Sequence, residues 1–289
     1  MRRKIKKLLV LLLALSMVVA IVGCGNSEEI NTSSNQSSED ANLIKGFINA
    51  GGSTSVEKAA LKLLEEFSAM NPDVTYAYDS SGSSTGIKNV HDNTYKIGFA
   101  SRELKEAEKK DVEYMPIAMD GIAVCVNPKN EVQALTMEQL KGIYVGEITN
   151  WKELGGTDAK IVVVSRENGS GTRSAFEELS NVDENLTQGA TIKSGNGEVA
   201  AYIASEYNAI GYISFVTLDL NKSKLKGMNI EGISPNIENV QTGEYKLSRP
   251  FNMIYIASKL SDAEKKFIDF IFTDEGQSLI EEAGAIRVK

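Results

Sequence analysis

Three short loops carry the residue types best suited to holding a small anion. They are Gly51-Gly52-Ser53-Thr54-Ser55, Ser80-Ser81-Gly82-Ser83-Ser84-Thr85-Gly86 and Arg166-Glu167-Asn168-Gly169-Ser170-Gly171-Thr172-Arg173. Each follows a segment that reads as a strand and precedes one that reads as a helix. The first turn of a helix has backbone N–H groups without intrahelical acceptors, and the helix dipole adds partial positive charge there. A tetrahedral oxyanion seats on such an end. Glycine lets the backbone come close, Ser and Thr hydroxyls add donors, and Arg166 or Arg173 can supply a charge-assisted fork.

Taken singly, each loop is explained equally well as a helix cap, and Thr54-x-x-Glu57 has the spacing of a capping box. Three such loops in one α/β chain say more, because strand–helix loops gather at the carboxyl ends of the sheet strands.

The elements that must position these loops follow from hydropathy periodicity. Residues 44–50, 74–78, 96–100, 115–126, 161–165, 210–214 and 252–257 read as strands. Helical spacing marks 56–69, with apolar residues at 56, 60, 63, 64 and 67, and also 84–90, 103–110, 137–145, 170–180, 198–206 and 261–283. The alternation predicts α/β lobes with largely parallel sheets.

Other chemistries fit less well. Gly82-x-Ser84-x-Gly86 matches the nucleophile elbow of serine hydrolases, but a serine nucleophile needs a base. The one histidine, His91, lies on the same short helix beside Asp92, whereas the hydrolase histidine follows both serine and acid at long range. His91 therefore reads as a surface residue. There is no Gly-Lys-Ser/Thr phosphate loop. One histidine, one cysteine in the body and no acidic cluster at ligand spacing predict neither a metal nor another cofactor. The chain reads as a binding protein rather than an enzyme.

The N-terminus predicts the compartment. Arg2, Arg3, Lys4, Lys6 and Lys7 precede an apolar run over 8–22, shorter than the ~20 residues of a spanning helix. Residues 1–23 thus read as a secretory signal peptide. Ile21-Val22-Gly23-Cys24 resembles the lipobox of bacterial lipoproteins, which implies a mature chain held by a lipid on Cys24 at the extracytoplasmic face of the cell membrane. Residues 24–42 are polar and read as a flexible tether. Cys125, in the apolar run 122–126, reads as a buried small hydrophobe, so no intramolecular disulfide is expected. Removal of the signal peptide leaves 26 basic against 39 acidic side chains, a formal charge of −13. A nucleic-acid binder would be basic. An anionic ligand is repelled by this overall field, so its grip must come from local donors in a shielded site.

The same loops, in order and spacing, resemble the phosphate-binding proteins of Pst-type ABC transporters in the form common among Gram-positive bacteria. The resemblance extends through Ile97-Gly98-Phe99-Ala100-Ser101-Arg102-Glu103-Leu104, Asp120-Gly121-Ile122-Ala123-Val124, Gly146-Glu147-Ile148-Thr149-Asn150-Trp151, Ala209-Ile210-Gly211-Tyr212-Ile213-Ser214 and 267–284. It implies a two-lobe, type II periplasmic-binding-protein-like α/β fold with the ligand in the inter-lobe cleft. One lobe would span 43–119 plus 247–289 and the other 120–246. By position it makes Ser53, Thr54 and Ser55, Ser83 or Ser84, and Arg166, Ser170, Gly171 and Thr172 the phosphate-binding residues. The implied partners are inorganic phosphate and the permease subunits of an ABC transporter, with the receptor a monomer. Many relatives carry an Asp just before the Ile-Gly pair, where this chain has Lys96, and that Asp accepts the proton on phosphate. Lys96 cannot accept, so either another acid takes over, with Asp120 preferred over Asp79 unless Asp120 only caps or braces the hinge, or selectivity against sulfate is looser. The alternative readings are a receptor for another oxyanion such as sulfate or molybdate, and a secreted serine hydrolase.

Overall fold

The structure, a computed structural model, describes residues 44–182 and 185–288. The expected signal peptide (1–23), the expected lipidation site Cys24 and the expected tether (24–42) lie outside the described residues. The strands are β1 (Gly46–Gly52), β2 (Val74–Asp79), β3 (Ile97–Ala100), β4 (Glu113–Val126), β5 (Ala134–Leu135), β6 (Val162–Arg166), β7 (Thr191–Lys193), β8 (Ala209–Ser214), β9 (Lys226–Gly227), β10 (Asn229–Ile230), β11 (Ser248–Tyr255) and β12 (Ile286–Arg287). The helices are α1 (Glu57–Met70), α2 (Ser83–His91), α3 (Met137–Val145), α4 (Gly171–Leu179), α5 (Gly195–Ser205), α6 (Phe215–Asn221), α7 (Ile237–Gln241), α8 (Asp262–Ile271) and α9 (Asp274–Glu282).

Helical periodicity positions the elements that carry the loops. Val56, Ala60, Leu63, Leu64 and Phe67, the apolar stripe of α1, are all buried, and Phe67 meets Phe267 of α8 edge-on at 5.4 Å. Each such large side chain taken from water contributes ~1.5–3 kcal/mol. Two expected helices differ. Of 103–110 only a 3₁₀ turn, Glu106–Glu108, forms, because Glu108 is drawn back onto Arg102 and the Lys105 amide. The segment 261–283 is two helices, broken where the Thr273 hydroxyl caps α9 by accepting from the Gly276 amide at 3.0 Å.

The main sheet runs β2-β1-β3-β11-β4-β8-β6-β7. β1 is parallel to β2 and β3, and β6 is parallel to β7 and β8. The expected parallel pairing thus holds in each half, but the halves are joined by antiparallel strands. β4 pairs with β11 through Asp120 and Gly121, then with β8 from Ile122 onward. Gly121 marks that change of partner: a Cβ there would meet the Phe215 ring at 2.3 Å. Two large hydrophobic cores flank the crossing, one around Ile48, Phe99, Phe251 and Phe267, the other around Val124, Tyr144, Trp151 and Tyr212. The molecule is a mixed α/β, two-lobe periplasmic-binding-protein-like fold. Cys125 is fully buried in the second core, where burial pushes its thiol pKa up.

Candidate anion site

The three loops meet. Ser53 directly follows β1, and its hydroxyl donates to Ser101 Oγ at 2.8 Å, while the Ser101 amide donates to Ser83 Oγ at 3.1 Å. Ser55 Oγ lies 2.9 Å from Thr172 Oγ1. The Ser84 amide donates to the Gly169 carbonyl at 3.1 Å. Gly171, first residue of α4, sits against the second loop, and a Cβ on it would lie 2.2 Å from Ser83 Oγ and 2.8 Å from Ser101 Oγ. Ser53, Ser55, Ser83, Ser170 and Thr172 are buried, although all are polar. Ser170 Oγ caps α4 by accepting from the Arg173 amide at 3.2 Å.

Arginines supply the positive charge, each set against a carboxylate. Arg166, at the end of β6, gives Nε and Nη2 to Glu167, both at 2.8 Å, and Nη2 also reaches Thr54 Oγ1 at 3.3 Å. Arg173 turns away to Glu177, Asn168 and the Arg166 carbonyl, so Arg166 is the arginine its loop contributes. Arg102 grips Glu108 with two nitrogens and holds Ser84 Oγ at 3.1 Å. Arg249 pairs with Asp120 at 2.9 Å, both fully or almost fully buried.

Burial tends to raise the Glu167 and Glu108 pKa values, but the bonded guanidinium groups hold both below the usual carboxylate value. Asp120 differs: burial pushes its pKa up to about 6 against the opposing pull of Arg249. Burial also lowers the Arg249 pKa, Asp120 opposes this, and the like charge of Arg166 adds to the lowering.

The decisive observation concerns unpaired donors. Five buried side-chain polar atoms lack a partner among the described residues, and four are guanidinium nitrogens: Arg102 Nε, Arg166 Nη1, Arg249 Nε and Arg249 Nη1. Buried polar groups are nearly always bonded, and a buried donor without an acceptor costs ~1–3 kcal/mol, more when charged. Phosphate is a multivalent oxyanion and fits such donors: its oxygens only accept, apart from its own proton.

Sequence reasoning missed Asn196, Ser101, Arg102 and Arg249. Asn196 Nδ2 donates to Thr54 Oγ1 at 3.0 Å and Ser55 Oγ at 2.9 Å, while Oδ1 accepts from the Ser214 amide at 3.1 Å. Its signal was a fourth loop, Ser194-Gly195-Asn196-Gly197, opening α5 three residues earlier than the expected helix at 198. The signal for Arg249 was a lone cation beside Pro250 at the start of an apolar strand.

Several expectations are corrected. Thr54 and Glu57 form no capping box: α1 starts from Val56 without a side-chain cap, and the Thr54 hydroxyl instead takes hydrogens from Arg166 and Asn196. The amides of Ser53, Ser55 and Ser84 are bonded to Phe99 O, Ser53 Oγ and Gly169 O, so hydroxyls and guanidinium groups, not these amides, face the site. Ser84 is only partly buried, whereas Ser83 is fully buried. Asp120, the preferred candidate acceptor, is not overturned: Oδ1 accepts from the Phe215 amide at 3.2 Å and Oδ2 from Arg249, and each carboxylate oxygen has a second lone pair. Lys96 bonds Asn93 on the exterior, and Asp79 accepts from the Tyr95 hydroxyl. His91 contacts the Glu108 carbonyl at 3.1 Å, and the Ser84 hydroxyl is held by Arg102 rather than by a base. Among the described residues no group of His, Cys, Asp and Glu is arranged to hold a metal. A groove of ≈ 690 Å³ touches the cluster at Thr54 and Asn196, and one of ≈ 710 Å³ lies apart between α6 and α9, near Phe215 and Glu281.

The PBP superfamily domain matches residues 27–275. The phosphate-binding protein PstS of Bacillus subtilis (strain 168) is 32% identical over 99% of this chain and 95% of its own length. Among solved structures, a substrate-binding protein assigned to a phosphate ABC transporter of Clostridium perfringens, with bound phosphate, is 43% identical with a TM-score of 0.82, covering 84% of this chain and all of the other. An ABC-type phosphate transport receptor from Vibrio cholerae is 34% identical with a TM-score of 0.71, covering 84% of this chain and all of that one. Alike in fold and along nearly the whole sequence, the chain belongs to the PstS-type phosphate-binding proteins of the PBP superfamily.

Proposed function

We propose that this protein captures inorganic phosphate between its two lobes and delivers it to an ABC permease for import. The observation that carries the reading is the set of buried guanidinium nitrogens of Arg102, Arg166 and Arg249 without a partner among the described residues, on arginines that bond the loop hydroxyls of Ser84, Thr54 and Ser55. The ligand would be held by Ser53, Thr54, Ser55, Ser83, Arg166, Ser170, Gly171 and Thr172, with Ser84 a further candidate whose hydroxyl accepts from Arg102. The first turn of α4 adds the Gly171 and Thr172 amides, which have no intrahelical acceptor. Relatives named for phosphate binding and the phosphate-bound C. perfringens neighbour support the ligand assignment.

The lobes divide at residues 43–119 plus 247–289 and 120–246, in keeping with the change of strand partner at Gly121 and the two cores. Closure about β4 and β11 would bring the first two loops onto the third and exclude water, strengthening each donor contact. The protein works as a monomeric receptor without catalytic chemistry. It is anchored at the extracytoplasmic face by a lipid on Cys24, and among the described residues no helix is long and apolar enough to cross a membrane.

Competition calorimetry with phosphate and sulfate at several pH values tests the assignment. Phosphate should displace sulfate at every pH, and equal affinity for the two would end the phosphate reading.

A further inference from the structure

The first two strand–helix loops and Arg166 were recognisable in the sequence as anion-binding elements; Arg249 was not. It stands on β11 in register with Asp120 of β4, where the strands cross between lobes. Its side chain is 2% exposed. Among the described residues its hydrogen bonds run through one nitrogen, Nη2, which donates to Asp120 Oδ2 at 2.9 Å and Ser55 Oγ at 3.1 Å, while the guanidinium lies 5.8 Å from the Phe251 ring centroid. Nε and Nη1 are buried and have no partner among the described residues. Asp120 offsets the charge of the guanidinium but leaves these donors unbonded, which is costly away from water.

The surroundings identify what they face. Ser55 Oγ, which Arg249 grips, is 2.9 Å from both Thr172 Oγ1 and Asn196 Nδ2, so Arg249 stands in the wall where both lobes meet. The charge of Arg166 is near enough to disfavour that of Arg249. Glu167 and Asp120 offset these two charges, but each guanidinium keeps a buried nitrogen with no partner among the described residues, and an anion that reaches both would supply the missing acceptors.

We propose that Arg249 is a second arginine that binds the phosphate, through Nε or Nη1, opposite Arg166. The inference rests on the phosphate reading above. It makes one ligand contact come from a crossing strand rather than from a loop, and so ties the anion directly to the hinge.

Phosphate calorimetry on wild type, Arg249→Met, Arg249→Lys and the double variant Asp120→Asn/Arg249→Met tests it. Because Arg249→Met alone strands the Asp120 carboxylate, the double variant removes both charges and protects the fold. Arg249→Met and the double variant should bind at least ~10-fold more weakly, with Arg249→Lys in between, since a point charge replaces the fork. In ¹⁵N-labelled wild type, an Arg249 side-chain N–H resonance should shift and exchange more slowly on adding inorganic phosphate, which a purely structural arginine would not do. Wild-type affinity in either Met variant, or Arg249 resonances indifferent to saturating phosphate, overturns the inference. Wild type that fails to bind phosphate overturns the functional reading and this inference with it, a result distinct from wild-type binding that Arg249→Met leaves intact.

Discussion

Ser55 and Thr172, 117 residues apart, face each other with their hydroxyl oxygens 2.9 Å apart across the meeting of the two lobes. Chemistry fixes the direction of that bond. Ser55 Oγ accepts from Arg249 Nη2 at 3.1 Å and from Asn196 Nδ2 at 2.9 Å, two groups that can only donate. Both lone pairs are thereby used, so the Ser55 proton goes to Thr172 Oγ1. The Thr172 proton is left to donate elsewhere, and the site lies beside it.

Thr172→Val preserves shape while removing that donor and the acceptor for Ser55. Phosphate affinity should fall by about 0.5–1.5 kcal/mol, roughly 2- to 12-fold. Calorimetry reads it directly, and unchanged affinity would mean that the Thr172 proton points away from the ligand.

Arg166→Ala should cost more than any single hydroxyl change. It removes a fixed charge and leaves Glu167, which packs against it at 2.8 Å, unpaired near the anion. A charge-assisted bond contributes about 1.5–3 kcal/mol, so a loss of roughly 10- to 150-fold in phosphate affinity is expected.

Gly171→Ala separates closure from folding. The glycine lies in a helical turn that alanine tolerates, yet the added Cβ would sit 2.2 Å from Ser83 Oγ on the facing loop. The ligand-free melting temperature should move by only a few degrees, while phosphate affinity drops ~10-fold or more. Small-angle scattering with phosphate should show a larger radius than wild type.

The Asp120 carboxyl provides a pH signature in the ligand-free protein. Its folded pKa, about 6, lies above the ordinary 3.8. A raised folded value means that the stability it contributes is full below the unfolded pKa and lost as pH rises through about 6. The stability difference between wild type and Asp120→Asn should therefore shrink between pH ~4 and ~7 by up to ~3 kcal/mol. Chemical denaturation across that range measures it, and a difference that grows with pH would reverse the assignment.

Salt should matter little to phosphate binding. Arg102, Arg166 and Arg249 are each matched with a carboxylate, so the site carries no net positive charge to be screened. Buried pairs are screened far less than exposed charges. Between ~0.02 and ~0.2 M sodium chloride the affinity should change by less than ~3-fold, whereas a site built of exposed cations would lose much more.

Where sequence was enough, the interactions were local. The stripe of α1 and the glycine- and serine-rich turns before α2 and α4 depend on neighbours within one turn of helix or strand, and periodicity records those neighbours. The order of the three loops along α/β units likewise fixed the chemistry they could do. Sequence could not say which donors would be left unbonded. Arg249 finds Ser55 across 194 residues, and Asn196 finds Thr54 across 142. Such pairings depend on where β4 and β11 cross and on how the lobes come together. Only the folded chain decides which hydroxyls, amides and guanidinium nitrogens spend their hydrogens on the protein and which keep them for an anion.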